Sequence, residues 1–436
     1  MIRRILLDNS SYSLRNMGDV AMLQVAAQRL AERFPNALIQ CLTADADRLG
    51  RLVPQARPLP CEGVRQWALT SILERCPLPV KVHDRIHHRI ENARRRGDVL
   101  IQAILGPLLG MRGEDDAPMR AYLAAVQRAD LVIGTGGGYL TDPFEHQARM
   151  VLGTLSLAQS MNKLTAMVGQ GIGPLLNPAL RSYSADVMNR LDLLTLREEA
   201  AGRPLIEKLG VRGGYIDTTG DDAIEAVYRG QTDRPGNGIG VNLRLAGYAG
   251  ALAGRLPVFK KVLADFSIQL DAPLVPLPIA LQAEDSDVVA IGRLMECGNW
   301  PIPDTPREVV ERAGRCRVVM TGSYHAAIFA LSQGVPVVGV VASEYYAAKM
   351  RGVAGQFPDG CLVVNADESD LAGRLRRAIE LQWNAAPALR QPLLEAALRQ
   401  IERGQRAYDH LATLKTKIAV SNPRAGAWTR LFIGRK

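Results

Sequence analysis

Ala129-Asp-Leu-Val-Ile-Gly-Thr-Gly-Gly-Gly-Tyr139 and Leu164-Thr-Ala-Met-Val-Gly-Gln-Gly-Ile-Gly-Pro174 decide the fold. Each is a short apolar run that ends abruptly in glycines, the pattern of a buried strand running into a tight turn. Ala129–Gly134 and Leu164–Gly169 are therefore predicted strands, and the segment around His146–Met161 between them has the length of a helix. Strands alternating with helices imply a parallel sheet covered on both faces.

The same alternation extends in both directions. Towards the N-terminus, residues 2–7 read as a strand and Val20–Phe34 as a helix, with Leu23, Ala27, Leu30 and Phe34 at helical spacing. Arg51–Pro118, broken by prolines and a basic run, reads as irregular helices or an insertion. Beyond Pro174, Leu193–Arg197 and Gly214–Asp217 are predicted strands. Asp233-Arg-Pro-Gly-Asn-Gly238 is a polar breaker, placed here as a boundary between domains.

After it come strands at Ile239–Leu243, Leu274–Leu277, Arg317–Met320, Val335–Val341 and Cys361–Asn365, with helices at Phe259–Leu270, Ser286–Cys297 and Tyr324–Ser332. A long helix is expected from about Leu389 to Ile418, packing back across the first lobe. The expected organisation is α/β: two Rossmann-like doubly wound lobes, residues 1–232 and 236–388, then a helical segment, 389–420, and a basic tail, 421–436. Ligands of such folds bind at the strand C-termini, in the cleft between the lobes.

Composition narrows the class. The chain has 436 residues, 47% apolar and 22% charged, enough to bury a large core. Aromatics are only 5% while glycine reaches 40 residues, which disfavours an all-β lectin-like module. A net charge of +9 suits an anionic partner. The basic run from Lys81 to Arg96 lacks the interleaved aromatics of an RNA-binding surface, so no nucleic-acid partner is expected. Six scattered cysteines without CxxC spacing form neither a disulfide framework nor a zinc site, and a reducing cytoplasm is the simplest reading. The start of the chain has no signal-peptide core, and no run is long enough to span a membrane. No metal and no cofactor are expected.

Several local patterns carry chemistry. Asn16-Met-Gly-Asp19 opens the first helix, where free N–H groups and the helix dipole favour an anion; alternatively Asp19 only caps the helix. Gly136, Gly137 and Gly138 either form an N–H nest for phosphate or carboxylate, or simply permit a tight turn. They are not a dinucleotide fingerprint, because Tyr139 stands where a third glycine belongs. Thr321-Gly-Ser-Tyr-His325 ends a strand just before an apolar helix, placing His325 where proton transfer into the cleft is feasible; a structural helix-start residue is the alternative. Arg197 closes an apolar strand and needs an anionic partner, either a ligand or one of Glu198, Asp221 and Asp222. Lys349 is a weaker candidate of the same kind, a surface lysine by default.

In this order, the segments Asn16-Met-Gly-Asp19, Gly136-Gly-Gly-Tyr-Leu-Thr-Asp142, Gly169–Pro174, Arg197-Glu198 and Gly322–His325 with Ala330–Val338 resemble the polysaccharide pyruvyltransferase family. The resemblance implies a fold similar to the two-lobed GT-B glycosyltransferase architecture. It also implies transfer of a pyruvyl group from phosphoenolpyruvate to hydroxyls of a glycan or lipid-linked sugar, with His325 as acid and Arg197 as anion clamp. Donor contacts are expected among Asn16, Gly18, Asp19, Gly136–Gly138, Ser323, Tyr324 and Lys349.

One departure stands out: the family commonly has Arg-Leu-His where this chain has Ser323-Tyr324-His325. A cation is missing, to be replaced by Lys349, Arg351 or Arg244, or else the donor is a different anion. Two other readings share the architecture, a nucleotide-sugar glycosyltransferase and a non-catalytic glycan- or membrane-associated protein. The C-terminal Ala427–Lys436, with Trp428, Leu431, Phe432 and Ile433 among three cations, is suited to peripheral contact with an anionic membrane surface; an untethered tail is the alternative.

Overall fold

Short, mostly buried strands sort into two sheets in which every pairing is parallel. The computed structural model describes residues 2–68, 109–110, 113–231, 236–244, 251–282, 286–295 and 300–415. The basic run at 81–96 and the tail beyond 415 lie outside the described residues.

The first sheet contains β1 (Arg4–Asp8), β2 (Leu38–Thr43), β3 (Arg57–Pro60), β4 (Leu131–Gly134), β5 (Gly137–Leu140), β6 (Leu164–Ile172), β7 (Leu193–Leu196) and β8 (Tyr215–Thr218). Its order is β3-β2-β1-β4-β6-β7-β8, with β5 added beside the end of β6. The second contains β9 (Gly238–Asn242), β10 (Leu274–Pro276), β11 (Cys316–Thr321), β12 (Val337–Val341) and β13 (Cys361–Asn365), ordered β10-β9-β11-β12-β13. Both orders reverse direction once, between β1 and β4 and between β9 and β11. In doubly wound sheets, the loops leaving the strands at such a reversal diverge and open a crevice.

The first helix, Met17–Arg33, is capped by Asn16, whose Oδ1 accepts from the N–H groups of Gly18 (3.0 Å) and Asp19 (3.3 Å). Asp19 is thus not the cap that its position suggests. This helix also joins the lobes. The Met17 N–H donates to the Ile279 carbonyl (2.8 Å) and the Leu281 N–H to the Arg15 carbonyl (2.9 Å). Met17, Ala21 and Met22 share one apolar cluster with Leu277, Ile279, Val309 and the entirely buried helix Tyr324–Leu331. A helix apolar on every side must lie inside the protein.

The C-terminal helix differs most from expectation. It begins at Leu371 and runs unbroken for 43 residues to Thr413, so the stretch expected from Leu389 is its second half. Leu371, Leu375 and Ile379 pack into the second lobe, Leu393, Ala396 and Ala397 into the shared cluster, and Ala407, Tyr408 and Leu411 against the first lobe. Pro387 and Pro392 lie within it, where the sequence alone suggests a helix boundary. None of the described helices is long and apolar enough to cross a membrane.

Candidate active site

The two reversals in strand order face each other across a cleft of about 370 Å³. The first lobe contributes the β1 loop (Ser10–Ser13, Arg15, Asn16), Asp19, Gly137, Gly138, His146 and Arg197; the second contributes Arg244, Ser323, Tyr324, His325, Tyr346 and Lys349. Asn16, Asp19, Gly137, Gly138, Arg197, Ser323, Tyr324, His325 and Lys349 therefore meet in one place. Gly18 and Gly136 do not reach the cleft wall.

Glycine at two of these positions is a matter of room. A Cβ on Gly18 would sit 2.0 Å from Cγ of His325, so the imidazole packs directly on the helix backbone. A Cβ on Gly138 would lie 2.8 Å from Nη2 of Arg197 and 3.0 Å from Nζ of Lys349. The glycine cluster lets two cations come close. Part of it is also strand rather than loop, since β5 starts at Gly137.

Arg197 follows β7 and is 2% exposed. Its guanidinium stacks on the Tyr324 ring, 3.9 Å from Cζ to the centroid, and Nη1 lies 3.9 Å from Oδ2 of Asp221. Although burial acts to lower its pKa, Tyr324 and Asp221 raise it overall, keeping the cation charged. Asp221 was among the partners considered from sequence; Glu198 instead accepts from the N–H groups of Ala201 and Gly202, and Asp222 pairs with Arg29.

His325 opens the Tyr324–Leu331 helix, with Nε2 3.5 Å from Asp221 Oδ2. The other oxygen of Asp221 accepts from the Ala223 N–H (2.9 Å), which fixes the carboxylate. Burial would push the Asp221 carboxyl up, but His325 and then Arg197 hold it below the usual range. A role for Asp221 toward the histidine is not legible in the sequence, because the two are brought together only by the docking of the lobes.

Lys349 lies on the helix Glu344–Gln356 and is no ordinary surface lysine. Its Nζ contacts the Tyr345 hydroxyl and sits 3.9 Å from the centre of that ring. Burial first, then Arg197, pull its pKa well below the lysine range; Asp19 opposes and Arg244 adds to the shift. The two other replacements for the missing cation are placed differently. Arg244 pairs with Asp287 (2.8 Å) at the cleft wall, while Arg351 is exposed and pairs with Glu344. Ser323 makes no side-chain cap to its helix.

Arg197 Nε is buried without a hydrogen bond among the described residues, and the buried His325 Nε2 faces Asp221 Oδ2 at 3.5 Å, longer than a well-formed bond. A buried donor left unsatisfied costs about 1–3 kcal/mol. At the cleft wall such a donor is available to a polar ligand.

Solved structures share the architecture. They include a UDP-N-acetylglucosamine 2-epimerase (TM-score 0.53, 11% identity, covering 97% of this chain and 99% of that one). Another is the S. aureus MnaA structure with UDP (0.54, 11%, 96% and 100%). A third is the UDP-GlcNAc 2-epimerase from Neisseria meningitidis bound to UDP-GlcNAc (0.51, 9%, 92% and 99%). At these identities the likeness concerns the fold, two Rossmann-like lobes in the GT-B manner. No curated relative matches the sequence. The family model for polysaccharide pyruvyl transferase matches residues 16–344, from the cap of the first helix to the start of the Lys349 helix. The chain belongs to the polysaccharide pyruvyl transferase family.

Proposed function

We propose that the protein transfers a pyruvyl group from phosphoenolpyruvate to sugar hydroxyls of a glycan or lipid-linked precursor, releasing phosphate. The observation that carries this reading is the convergence of Arg197, Lys349 and His325 at the interlobe cleft, with Asp221 behind the histidine. Phosphoenolpyruvate carries a carboxylate and a phosphate on neighbouring atoms, and two cations beside Gly138 suit such a compact polyanion. Lys349 supplies the charge absent at Ser323. His325 is the acid that protonates the enol carbon, and Asp221, 3.5 Å from its Nε2, orients it.

The test is incubation with phosphoenolpyruvate and candidate sugar acceptors, following phosphate release and the new ketal methyl signal by NMR. Acceptor-dependent formation of both supports the reading. Turnover of a nucleotide-sugar instead, with no ketal, overturns it in favour of a glycosyltransferase, a reading to which the UDP ligands of the structural neighbours give some support.

A further inference from the structure

The cleft holds a carboxylate that an anion-binding site does not need. Asp19 projects from the first turn of the Met17–Arg33 helix into the cleft. Capping is already done by Asn16, and a carboxylate among donor contacts repels an anionic donor. Its place in the site calls for another task.

The groups around Asp19 come from both lobes. Ser11 of the β1 loop and His325 of the second lobe share the cleft wall with it, and His325, Asp221, Arg197, Lys349 and Tyr139 interact with it through charge. The His325 ring rests on Gly18, one residue before it. The cleft wall also carries neutral polar groups, Ser10, Ser11, Ser13, Gln147 and Gln282, alongside Arg15, Arg65 and His146. Hydroxyl and amide side chains are suited to the hydroxyls of a sugar, and Arg197 and Lys349 approach Gly138.

We infer that Asp19 is the base that takes the acceptor hydroxyl's proton, working across the cleft from His325. The inference rests on the pyruvyltransferase reading. In the first step the acceptor O–H gives its proton to Asp19 and its oxygen bonds to C2 of the enolpyruvyl group. The C2=C3 electrons take a proton from protonated His325, making C3 a methyl group. In the second step a neighbouring hydroxyl bonds to C2, the C2–O bond to phosphate breaks, and His325 takes that hydroxyl's proton. Asp19 returns its proton to the departing phosphate. One hydroxyl proton thus ends on C3 and the other on phosphate, and both residues finish as they began. Burial, with Asp221 adding and His325, Ser11 and Arg197 opposing, raises the Asp19 carboxyl above its ordinary range, which strengthens it as a base.

The experiment compares Asp19→Asn and Asp19→Glu with wild type in donor binding by calorimetry and in the pH profile of kcat. Asp19→Asn is expected to bind phosphoenolpyruvate at least as tightly, while kcat falls about 10²-fold or more and the acidic limb of the profile disappears. Asp19→Glu restores part of kcat and brings the limb back. If Asp19→Asn keeps the acidic limb, or loses donor affinity with kcat unchanged, Asp19 is not the base. Wild type that binds phosphoenolpyruvate but releases no phosphate with any diol-bearing sugar overturns the assignment. Wild type that binds none overturns the underlying reading first, before any variant is compared.

Discussion

Lys349 illustrates how much burial changes a residue's chemistry. Pushed well below the lysine range, it gains most from an anion that favours its charged form. Donor binding raises its pKa again, so binding takes up a proton. Donor affinity is therefore highest below the free-site pKa and falls as pH rises towards the donor-bound value. Calorimetry in buffers of different ionisation enthalpy should show this uptake in wild type and its loss in Lys349→Arg. Lys349→Met should weaken donor binding by about 10- to 100-fold, the equivalent of a charged hydrogen bond worth about 1.5–3 kcal/mol. For the Asp221–His325 pair, Asp221→Asn should lower kcat about 10²-fold with little change in donor affinity, because it removes the group that orients the acid.

At the scale of elements, the long helix Leu371–Thr413 joins the lobes, and its far end is fastened by buried charge. Arg29 bonds Asp222 (2.7 Å) and Glu225, Tyr408 donates to Asp222 (2.8 Å), and Gln405 reaches Glu225. Arg29→Met leaves two buried carboxylates short of their partner and should cost about 3–5 kcal/mol in denaturant unfolding, without affecting donor binding in the folded protein.

Aliphatic runs ending in glycine are the most legible strands, and Cys361–Asn365 matches to the residue, whereas Leu38–Thr43, Arg57–Pro60 and Gly137–Leu140 carry no such signal and are missed, the second lying in a stretch expected to be irregular helices or an insertion. The long helix was misjudged because Pro387 and Pro392 suggest a break, while the packing that keeps the helix continuous comes from three separate clusters. In the candidate site, Arg197 and His325 were visible because a charged residue at the end of an apolar run needs a reason to be there. Asp221 as partner to the histidine, and the half-buried seat of Lys349 in the cleft, are not visible, because both depend on how the second lobe docks.

For the whole molecule, the apolar cluster shared by Met17, Met22, Val309 and Phe329 ties the lobes into one body. Arg48 adds a polar link, donating to the Leu14 carbonyl (2.8 Å) and the Asp304 carbonyl (2.9 Å). Thermal unfolding should accordingly follow a single transition by circular dichroism and fluorescence alike; two separated transitions would mean the lobes fold independently. Because the proposed donor site lies between the lobes, its ligand should stabilise that whole unit, by about 2.7 kcal/mol at a hundredfold excess over Kd.

The proposed donor site is the interlobe cleft, a seat for an anionic donor built on Arg197. The measurement that tests it most directly is titration calorimetry of phosphoenolpyruvate, with UDP in parallel, against wild type and Arg197→Lys. The account expects saturable one-site binding of phosphoenolpyruvate to wild type, severely weakened in Arg197→Lys, whose thermal transition shows it is folded, because an ammonium cannot reproduce the stacked, forked guanidinium. Equal binding by both proteins, or binding of UDP alone, would contradict it.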